Sequence, residues 1–468
     1  MPFLDRLQHF ARVQPDATAV LVGADRLSFA ELRDKAAALL PETPLTSRVC
    51  LPNGTAFAVR FAAGVAEGRR CAVLDPGWPE AQRGNVEERL AEIGGPKETL
   101  RPGTELRDGP PARDFLYGFT SGTTSVPKAF TRSRGSWQRS FELGTEFFGL
   151  TRHDRTLAPG PLSASLSLYA LAESLHAGAA FVTLARFSAA EAVDCVTAAR
   201  ITRILAAPTV LRLIVAHALS AGADGAGLTG IVSAGAKLDP ATLSMLRLWA
   251  PRASVFEYYG AAELSFVTAS VLRPGQAPPN SATAVGRALP GVEVRIQDDT
   301  GRVLPAEIPG IIFVRSPLVG GGYVWGDDGA AFRRKGDWCT VGDLGFLDPN
   351  GVLHHLGRMA DLIVTSGNNV YPQQVEAALR GTPGVAAAVV TGLPDPVRGT
   401  RVVAAVMSGL DTDAARIRSH IAPLLAAPHR PRAYYTLTEL PLTPAGKLSR
   451  ALLRRWIEDG DPRVRPLR

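Results

Sequence analysis

The sequence has few cysteines, and their spacing matches none of the common uses of paired cysteines. Four occur among 468 residues, at Cys50, Cys71, Cys195 and Cys339. They lie far apart, with neither a CxxC pair nor the spacing of a zinc site. This argues against a disulfide framework, and we expect four ordinary buried thiols in a reducing compartment.

Long apolar runs and leader-like segments are also missing. A membrane helix needs about 18 consecutive apolar residues, and the most apolar stretch, ITRILAAPTVLRLIVAHAL, is interrupted by Arg203 and Arg212. The first twenty residues, MPFLDRLQHFARVQPDATAV, carry charges throughout and lack the apolar core and cleavage site of a signal peptide. We therefore expect a cytoplasmic protein without a membrane span.

The charge balance is basic without a nucleic-acid signature. The chain has 51 basic and 44 acidic residues, a net charge of +7 and a pI near 9.4. The arginines are scattered, and no helix-turn-helix, zinc finger or aromatic RNA-binding motif is present. We expect a polyanionic small molecule as the partner and no nucleic acid, with a solvated arginine-rich surface as the plainer interpretation.

Length and patterning predict at least two domains of the α/β class. A chain of 468 residues exceeds the size at which one core keeps growing. Short β-rich runs such as CAVLDP, AFVTLA, RILAAPT, GIVSAGA and SVFEYYG alternate with helical stretches. Two of these stretches, Ala189–Arg200 and Pro240–Trp249, follow serine or aspartate, which suit N-caps. This alternation favours βαβ units and a mainly parallel sheet.

The pattern changes twice in the last third of the chain. From about Val285, β-branched residues alternate with Gly, Pro and Asp-rich turns, which predicts antiparallel hairpins or a small barrel over about residues 285–350. After Arg358 the pattern is that of a compact α+β module. We therefore predict an N-terminal domain of residues 1–357 and a C-terminal domain of residues 358–468.

Hydroxyl-bearing residues are concentrated in one run, YGFTSGTTSVPKAF, from Tyr117 to Phe130. A loop of Gly, Ser and Thr can surround a polyphosphate with N–H groups and hydroxyls, while a lysine neutralises charge. The spacing excludes the common GxxxxGK[ST] nucleotide loop, because Val126 and Pro127 precede Lys128 where that motif needs glycine. Taken alone, the run is better explained as a polar surface turn.

Other motifs follow this run in a fixed order. They are YYGAAE, VGDLG, GRMADLIVTSGNNVYPQQVE and PLTPAGKLSR, with weaker matches upstream in LSFAEL and LDPGWPEAQR. Together with TSGTTSVPK they closely resemble the motif series of the adenylate-forming (AMP-binding) superfamily, which includes acyl-CoA synthetases, peptide-synthetase adenylation domains and luciferases. The resemblance extends from Leu27 to Arg450 and is greatest to acyl-CoA synthetases.

The resemblance implies a fold and a two-step reaction. The fold is α/β, with a large N-terminal domain of layered βαβ sheets plus a small β-barrel, and a small mobile α+β C-terminal domain. In the reaction a carboxylate attacks the α-phosphorus of ATP to give an acyl-adenylate and pyrophosphate, and a thiol then displaces AMP. The small domain is expected to rotate between the steps. ATP, Mg²⁺ and coenzyme A are implied.

The resemblance also assigns roles to individual residues. Lys447 matches the catalytic lysine, which bridges the attacking carboxylate and the nucleotide. Glu263 matches a catalytic glutamate that helps hold Mg²⁺, and Asp343 matches the acceptor of both ribose hydroxyls, assisted by Arg358. The other implied nucleotide-binding residues are Thr120, Ser121, Gly122, Thr123, Thr124 and Lys128 at the phosphates, and Gly235, Ala236, Tyr259 and Gly260 around adenine.

Several positions depart from the family pattern. The residue before Glu263 is usually a threonine that donates to the α-phosphate, but here it is Ala262. Ser125 and Ala129 replace common glycines, and Ala360 stands at the hinge position where Asp or Lys is usual. These departures bear on rate and domain motion, and they also leave open a non-catalytic nucleotide- or acyl-binding homologue.

The segment that would contact the acid contains no aspartate. Amino-acid-activating relatives use an aspartate there for the α-amino group, whereas Pro161–Leu171 offers serines, a tyrosine and apolar residues. We therefore expect a simple, largely apolar carboxylic acid, with Ser163, Ser165 and Ala234 as candidate pocket residues. Ordinary helix or loop packing is the alternative role for the serines.

The acceptor thiol is left with two candidates. SGNNVYPQQVE resembles the turn that acyl-CoA synthetases present in the second step, and Arg430 and Arg432 could meet the phosphates of coenzyme A. The same arginines could meet an acidic acyl carrier protein. Because no carrier, condensation or reductase segment is fused to the chain, we favour coenzyme A.

Overall fold

The computed structural model describes residues 3–93, 104–120, 127–278, 281, 283–327, 329, 332–408, 412–442 and 448–467. Five positions with predicted roles, Ser121, Gly122, Thr123, Thr124 and Lys447, lie outside the described residues. Their roles therefore remain predictions.

Contacts between backbone positions divide the chain into two units. The first comprises Met1–Pro279, Val285–Val294 and Phe313–Val341, and the second comprises Asn280–Ala284, Arg295–Ile312 and Gly342–Arg468. The predicted boundary between residues 357 and 358 separates parts that are expected to move relative to each other. Contacts within one structure do not test such a motion. The boundary therefore remains a proposal, as does the barrel over residues 285–350.

The described helices follow the chain in two groups. The first unit contains α1 Leu4–Val13, α2 Phe29–Leu39, α3 Thr55–Gly64, α4 Glu80–Ile93, α5 Arg134–Phe148, α6 Ser165–Ala177, α7 Ala189–Ala198, α8 Pro208–Ser220 and α9 Pro240–Trp249. The second contains α10 Pro372–Arg380, α11 Ala414–Ile421 and α12 Arg450–Asp459. Single 3₁₀ turns lie at Leu40–Glu42, Met359–Asp361 and Ala427–His429.

The described strands number twenty-six. The first eleven are β1 Thr18–Val22, β2 Asp25–Ser28, β3 Thr46–Val49, β4 Arg70–Val73, β5 Asp114–Thr120, β6 Lys128–Ser133, β7 Arg155–Leu157, β8 Ala180–Thr183, β9 Arg203–Ala206, β10 Gly230–Ala234 and β11 Ser254–Ala261. The following strands are β12 Ser265–Leu272, β13 Ala284–Ala288, β14 Glu293–Gln297, β15 Gly310–Arg315, β16 Gly322–Trp325, β17 Arg333–Lys335, β18 Trp338–Thr340, β19 Asp343–Leu347 and β20 Val352–Arg358. The last are β21 Ile363–Thr365, β22 Asn368–Val370, β23 Val385–Asp395, β24 Gly399–Ser408, β25 Ala433–Leu437 and β26 Val464–Pro466.

The larger sheet of the first unit is parallel at its centre. Its strands lie in the order β13-β12-β11-β10-β9-β7-β8-β1-β2. The pairs β11/β10, β10/β9, β9/β7, β7/β8 and β8/β1 are parallel, and the flanking pairs β13/β12, β12/β11 and β1/β2 are antiparallel. Helices α7, α8 and α9 pack their apolar sides on the central strands. The predicted α/β class and parallel sheet are confirmed.

Two of the predicted helices begin at the predicted caps. Ser188 Oγ accepts a hydrogen bond from the Glu191 N–H at 3.3 Å, and Asp239 Oδ1 accepts one from the Thr242 N–H at 2.9 Å. Helix α9 has the predicted bounds, but α7 ends at Ala198 rather than Arg200. The reason is a left-handed backbone at Arg200, with φ of 50°, which cannot continue a helix.

A second sheet of the first unit carries the hydroxyl-rich run. Its five strands lie in the order β16-β6-β5-β4-β3, with β3, β4 and β5 parallel and β5/β6 and β6/β16 antiparallel. Strands β5 and β6 flank the run, and the neighbour of β6 on its other side, β16, comes from about 190 residues further along the chain. This pairing brings distant residues to the same end of the sheet.

The second unit contains a sheet with helices on both faces. Its strands lie in the order β23-β24-β25-β26. On one face Val390 and Val402 pack with residues of α10 and α11, and on the other Val389 and Ala405 pack with Leu453 and Trp456 of α12. The predicted compact α+β character of this part of the chain is confirmed.

None of the helices in the described residues combines the length and the apolar character that crossing a bilayer requires.

A buried ion pair joins α6 to β9 in the first unit. Arg203 Nη1 lies 2.8 Å from Glu173 Oε2, and the two side chains are only 4% and 0% exposed. The remaining polar atoms of both groups, Arg203 Nε and Nη2 and Glu173 Oε1, have no hydrogen-bond partner among the described residues. Each charge therefore depends on the other.

We predict that Arg203→Met destabilises the first unit by about 3–5 kcal/mol, because it leaves a buried carboxylate unpaired. Urea unfolding followed by tryptophan fluorescence measures this, since five of the six tryptophans lie in the first unit. The double variant Glu173→Leu/Arg203→Met should recover most of the loss.

The exposed pair Arg315–Glu293, with side chains 46% and 56% exposed, provides the control. Arg315→Met should leave the unfolding midpoint nearly unchanged, because exposed pairs are screened by water. A shift for Arg203→Met no larger than this control, or a double variant no better than the single one, contradicts the prediction.

Candidate active site

The middle of the hydroxyl-rich run is bounded by two residues that pair in one hairpin. Thr120 is the last residue of β5 and Lys128 the first of β6, and the two are register partners. Both side chains are half-buried. The predicted phosphate-contacting residues at the two ends of the run are thus held side by side by the sheet, while residues 121–126 lie outside the described residues.

The segment that leads into β16 lies unusually close to β6. A Cβ added to Gly320 would lie 2.7 Å from the Thr131 carbonyl oxygen, and one added to Gly321 would lie 2.4 Å from Thr131 Oγ1. Only glycine leaves room for this approach. It places Tyr323, the partner of Phe130, beside the end of the hairpin.

The phenol of Tyr323 joins two of the predicted site residues. Its hydroxyl lies 3.1 Å from Thr120 Oγ1 and donates a short hydrogen bond to Glu263 Oε1. Glu263 lies in the turn between β11 and β12, and only 7% of it is exposed. The structure therefore brings Thr120 and Glu263 together, through a tyrosine that belongs to neither motif.

Burial and the neighbouring Glu263 carboxylate raise the pKa of Tyr323 above its ordinary value. The phenol consequently stays protonated across the physiological range. It can donate to the carboxylate and accept from the threonine at the same time, because a phenolic hydroxyl does both.

Lys128 faces a second carboxylate from the same segment as Tyr323. Its Nζ lies 3.9 Å from Asp327 Oδ1 and 6.0 Å from the centre of the Tyr323 ring. The lysine side chain is 20% exposed and the aspartate side chain 9%. Asp327 therefore lies beside the ammonium group of Lys128.

The predicted adenine-flanking residues lie at the carboxyl ends of adjacent parallel strands. Ala234 of β10 pairs with Tyr258 of β11, so Gly235 and Tyr259 follow at the same edge of the sheet. Ligands of parallel α/β sheets bind at this edge. Gly235 has φ of +89°, a conformation that favours glycine. Tyr259 is buried, whereas Ala236, which follows Gly235, is exposed.

An ion pair holds the segment after β10 in place. Glu257 accepts hydrogen bonds from Lys237 Nζ and, at 2.7 Å, from the Leu238 N–H. Burial raises the pKa of Glu257, and the lysine opposes that shift. Gly235 and Ala236 are therefore anchored from β11, the strand that carries Tyr259 and Gly260.

The three candidate acid-binding residues differ in how much of each is exposed to solvent. Ser163 is half-buried in the turn before α6, Ser165 is exposed as the first residue of that helix, and Ala234 is buried at the end of β10. Their role in binding the acid remains a prediction.

In the second unit Asp343 and Arg358 form one small cluster. They are register partners on β19 and β20, with Arg358 Nε 3.5 Å from Asp343 Oδ1. His355 Nε2 lies 3.5 Å from the other carboxylate oxygen. Asp343 is 5% exposed, whereas the Arg358 side chain is 62% exposed. The structure thus places the two predicted residues side by side, with His355 next to them, and their role at the ribose stays a prediction.

The predicted hinge residue Ala360 lies exposed in the 3₁₀ turn Met359–Asp361. Asp361 accepts from Arg450 Nη1 at 3.2 Å, and Arg450 Nη2 donates to both carboxylate oxygens of Glu376. This turn is therefore tied to the start of α12. The two arginines considered for coenzyme A differ in exposure. Arg430 is half-buried and donates to the backbone carbonyls of Leu425 at 2.9 Å and Ala422 at 2.5 Å, whereas Arg432 is exposed.

The donors around Glu263 fit a magnesium ion. In the described part of the chain there is no cluster of three or more His, Cys, Asp or Glu side chains that could hold a metal alone. One carboxylate with hydroxyl oxygens nearby is instead the hard-oxygen environment that Mg²⁺ accepts when phosphates and waters supply its other ligands. Glu263 is the residue that would hold it.

Sequence reasoning missed Tyr323, Asp327 and His355. All three act on predicted residues through contacts that no local pattern reports. The signal for Tyr323 was the run Gly320-Gly321-Gly322 directly before it, because consecutive glycines at the start of a strand indicate a close backbone approach. His355 and Asp327 carry no such signal.

Comparison with protein families gave two matches. The model described as AMP-binding enzyme matches residues 82–324, and the model described as AMP-binding enzyme C-terminal domain matches residues 374–447. The first match alone covers more than half of the chain.

Individual relatives agree with the family matches. An uncharacterised acyl–CoA ligase of Bacillus subtilis is 31% identical over 447 residues, covering 90% of this chain and 89% of the relative. A fatty acid–[acyl-carrier-protein] ligase of Streptomyces coeruleorubidus is 30% identical over 345 residues, covering 72% of this chain and 66% of the relative. The solved o-succinylbenzoate CoA synthetase of Bacillus subtilis, in complex with its acyl-adenylate intermediate, has a TM-score of 0.80 at 24% identity, covering 96% of this chain and 97% of its own.

We predict that Tyr323→Phe destabilises the first unit and weakens nucleotide binding. The variant removes the donor to a buried carboxylate, and a hydrogen bond to a charged group contributes about 1.5–3 kcal/mol. Urea unfolding and calorimetric titration with ATP measure the two effects.

Tyr434→Phe is the matched control. Tyr434 is 3% exposed, and its hydroxyl has no hydrogen-bond partner among the described residues, so its removal should cost little. If the two variants behave alike, the Tyr323 hydroxyl has no special role.

Proposed function

The chain belongs to the AMP-binding enzyme family, and on that premise we propose that it activates an apolar carboxylic acid with ATP and transfers the acyl group to coenzyme A. Its reaction class is that of an AMP-forming acid–CoA ligase. The identity of the acid, the roles of single residues and the acceptor thiol are the finer parts of this proposal.

The first step forms one bond and breaks one. A carboxylate oxygen of the acid attacks the α-phosphorus of ATP, and the bond from that phosphorus to the bridging oxygen of pyrophosphate breaks. Both reactants are anions, so the protein must position them and neutralise charge. In the second step the coenzyme A sulfur attacks the acyl carbon, its proton is released, and AMP leaves with the electron pair of the C–O bond.

One observation carries the proposal: the hydrogen-bonded series Thr120–Tyr323–Glu263, with Lys128 at the neighbouring register position. It gathers a hydroxyl, a carboxylate and an ammonium group at one end of the smaller sheet. These are the groups that a polyphosphate and its counter-cation need. In the proposal Thr120 and Lys128 contact the β- and γ-phosphates, together with Ser121, Gly122, Thr123 and Thr124.

Glu263 holds the cation in this proposal. Mg²⁺, when bound, would neutralise negative charge on the phosphates. The carboxylate oxygen that faces Tyr323 is oriented by the phenol, which leaves the group fixed before the nucleotide arrives. Fixing the carboxylate in advance lowers the entropy cost of assembling the site.

Asp343 accepts the two ribose hydroxyls in this proposal. A carboxylate has two acceptor oxygens, which suits a pair of neighbouring hydroxyls. Arg358 and His355 each lie 3.5 Å from one of those oxygens and orient the carboxylate. Gly235, Ala236, Tyr259 and Gly260 flank the base, and Lys447 keeps the role of the catalytic lysine that resemblance gives it.

An apolar acid is supported by what surrounds the candidate pocket residues. Ala234 is 2% exposed, and the helix that follows Ser163 and Ser165 is apolar along most of its buried side. No aspartate is present in Pro161–Leu171 to bind an ammonium group. We therefore place α-amino acids outside the substrate range.

We predict that the protein catalyses exchange of labelled pyrophosphate into ATP only when a suitable carboxylic acid is present. A panel of aliphatic, aromatic and α-amino acids tests this, and apolar acids should support exchange while α-amino acids do not. Lys447→Ala should lower the exchange rate by about 100-fold or more, the scale for losing one charge-stabilising donor.

Lys335→Ala is the control, because Lys335 is exposed on β17. No exchange with any acid contradicts the proposed enzyme and favours a non-catalytic binding homologue, the alternative to which Ala262 and Ala360 point. Undiminished exchange in Lys447→Ala contradicts the role of that lysine alone.

We predict that coenzyme A releases AMP from the acyl-adenylate faster than an acyl carrier protein does. Single-turnover release of AMP with each thiol, supplied at equal concentration, measures the preference. Because a carrier-protein ligase is among the relatives, faster release with the carrier protein would reassign the second step and leave the first step standing.

A further inference from the structure

A buried arginine lies behind the proposed metal and phosphate residues. Arg132 belongs to β6, and 1% of it is exposed. Its guanidinium donates to three backbone carbonyl oxygens: Nη1 to Glu263 at 3.1 Å and to Ala262 at 3.4 Å, and Nη2 to Leu318 at 2.7 Å. Such a group binds the chain rather than a side chain.

The acceptors lie on the two segments whose contact forms the site. Ala262 and Glu263 make the turn between β11 and β12, and Leu318 precedes the glycines that lead into Tyr323. The Gly320 N–H donates to the Glu263 carbonyl at 2.8 Å, and the Gly321 N–H donates to the Thr131 carbonyl at 3.1 Å. Arg132 thus stands at the junction of three chain segments.

Tyr323 and Glu263 approach each other from these two segments. Their hydrogen bond requires that the turn and β16 keep a fixed separation. Arg132 bonds to the turn at Glu263 and, at Leu318, to the segment that leads into β16. We propose that Arg132 is a positioning residue that holds Glu263 and Tyr323 in the arrangement that receives the metal-bearing end of the nucleotide. This inference rests on the proposed function of Glu263.

The chemistry of the arginine fits this role better than that of a lysine. A guanidinium presents five donors in a planar fork, so it can reach acceptors on separate segments at once, whereas an ammonium is a single point charge. Burial lowers the pKa of Arg132 to about 10, which leaves the group charged at neutral pH.

The chain supplies a matched comparison two residues away. Arg134 is 0% exposed, and its guanidinium also donates to backbone carbonyls, those of Asp114 at 3.2 Å, Val65 at 3.2 Å and Arg69 at 2.7 Å. Burial lowers the pKa of Arg134 to about 10 as well. None of these acceptors belongs to the turn or to the segment that leads into β16, so replacing Arg134 tests the loss of a buried arginine alone.

The experiment compares Arg132→Lys with Arg134→Lys. Calorimetric titration with ATP, without any acid, is performed in EDTA and in Mg²⁺, and thermal unfolding is recorded for each variant. The Mg²⁺ concentration for half-maximal pyrophosphate exchange is then measured. Wild-type protein should bind ATP more tightly with Mg²⁺ than with EDTA.

For Arg132→Lys we expect the gain from Mg²⁺ to be largely lost and the half-maximal Mg²⁺ concentration to rise about 10-fold or more, the scale for losing a residue that orients a metal ligand. Binding in EDTA should change by less than about twofold, because the remaining phosphate contacts do not depend on the cation. Arg134→Lys should lower thermal stability similarly and leave the Mg²⁺ dependence unchanged.

Equal Mg²⁺ dependence in the two variants would falsify the inference, since Arg132 would then act on stability alone. If Arg132→Lys does not unfold cooperatively, Gly320→Ala replaces it. Its added Cβ would lie 3.2 Å from Arg132 Nη1 and 2.7 Å from the Thr131 carbonyl, so it displaces the junction while keeping the guanidinium. The same Mg²⁺ shift is expected, and its absence overturns the inference.

The two proposals fail in different ways. A wild-type protein that catalyses no exchange with any acid contradicts the proposed reaction, and the ATP titrations in Mg²⁺ and EDTA still decide the role of Arg132. A wild-type protein that exchanges normally, with variants that keep its Mg²⁺ dependence, removes the positioning role and leaves the reaction intact.

Discussion

The buried carboxylate of Glu263 must be compensated, and the contacts that surround this residue organise this end of the first unit. An unpaired buried carboxylate is costly. Glu263 receives a hydrogen bond from the Tyr323 phenol on its side chain and two more, from Arg132 and the Gly320 N–H, on its carbonyl. These contacts require three separate chain segments to meet, which explains why β16 packs so closely on β6.

Local features of the fold could be predicted from the sequence because their causes are local. Ser188 and Asp239 cap helices that begin where a serine or aspartate precedes an apolar pattern, and the parallel strands follow from apolar runs that alternate with helices. The predicted end of α7 is wrong where Arg200 adopts a left-handed backbone, and of the four thiols predicted to be buried, those of Cys50 and Cys195 are only half-buried. Arginine has no preference for a left-handed backbone, so this conformation could not be predicted from the residue type.

Contacts of the candidate site were predictable only where a motif carried them. The register of β5 with β6 brings Thr120 opposite Lys128, and both lie in one motif. Tyr323, by contrast, reaches Thr120 across 203 positions of sequence. Nothing in periodicity or spacing indicates which distant strand will pair with an edge, so residues that act through such a pairing appear only in the fold.

The buried arginines refine what the basic composition means. Arg69, Arg132, Arg134 and Arg203 are each at most 3% exposed, and the first three donate mainly to backbone carbonyls. Part of the excess positive charge therefore serves to join chain segments, contrary to the plainer expectation that the arginines are solvated.

That use of arginine has a consequence for the site. A backbone carbonyl carries only a partial negative charge. A guanidinium that binds carbonyls is therefore only partly neutralised and keeps most of its positive electrostatic potential. At Arg132 this potential is directed at the turn that carries Glu263, where the proposed reaction brings a polyphosphate. An uncharged side chain of the same shape could hold the same segments by hydrogen bonds, but it would not favour anionic groups beside them. The choice of arginine at this junction thus joins the packing of β6, β16 and the Glu263 turn to the electrostatics that the proposed reaction needs.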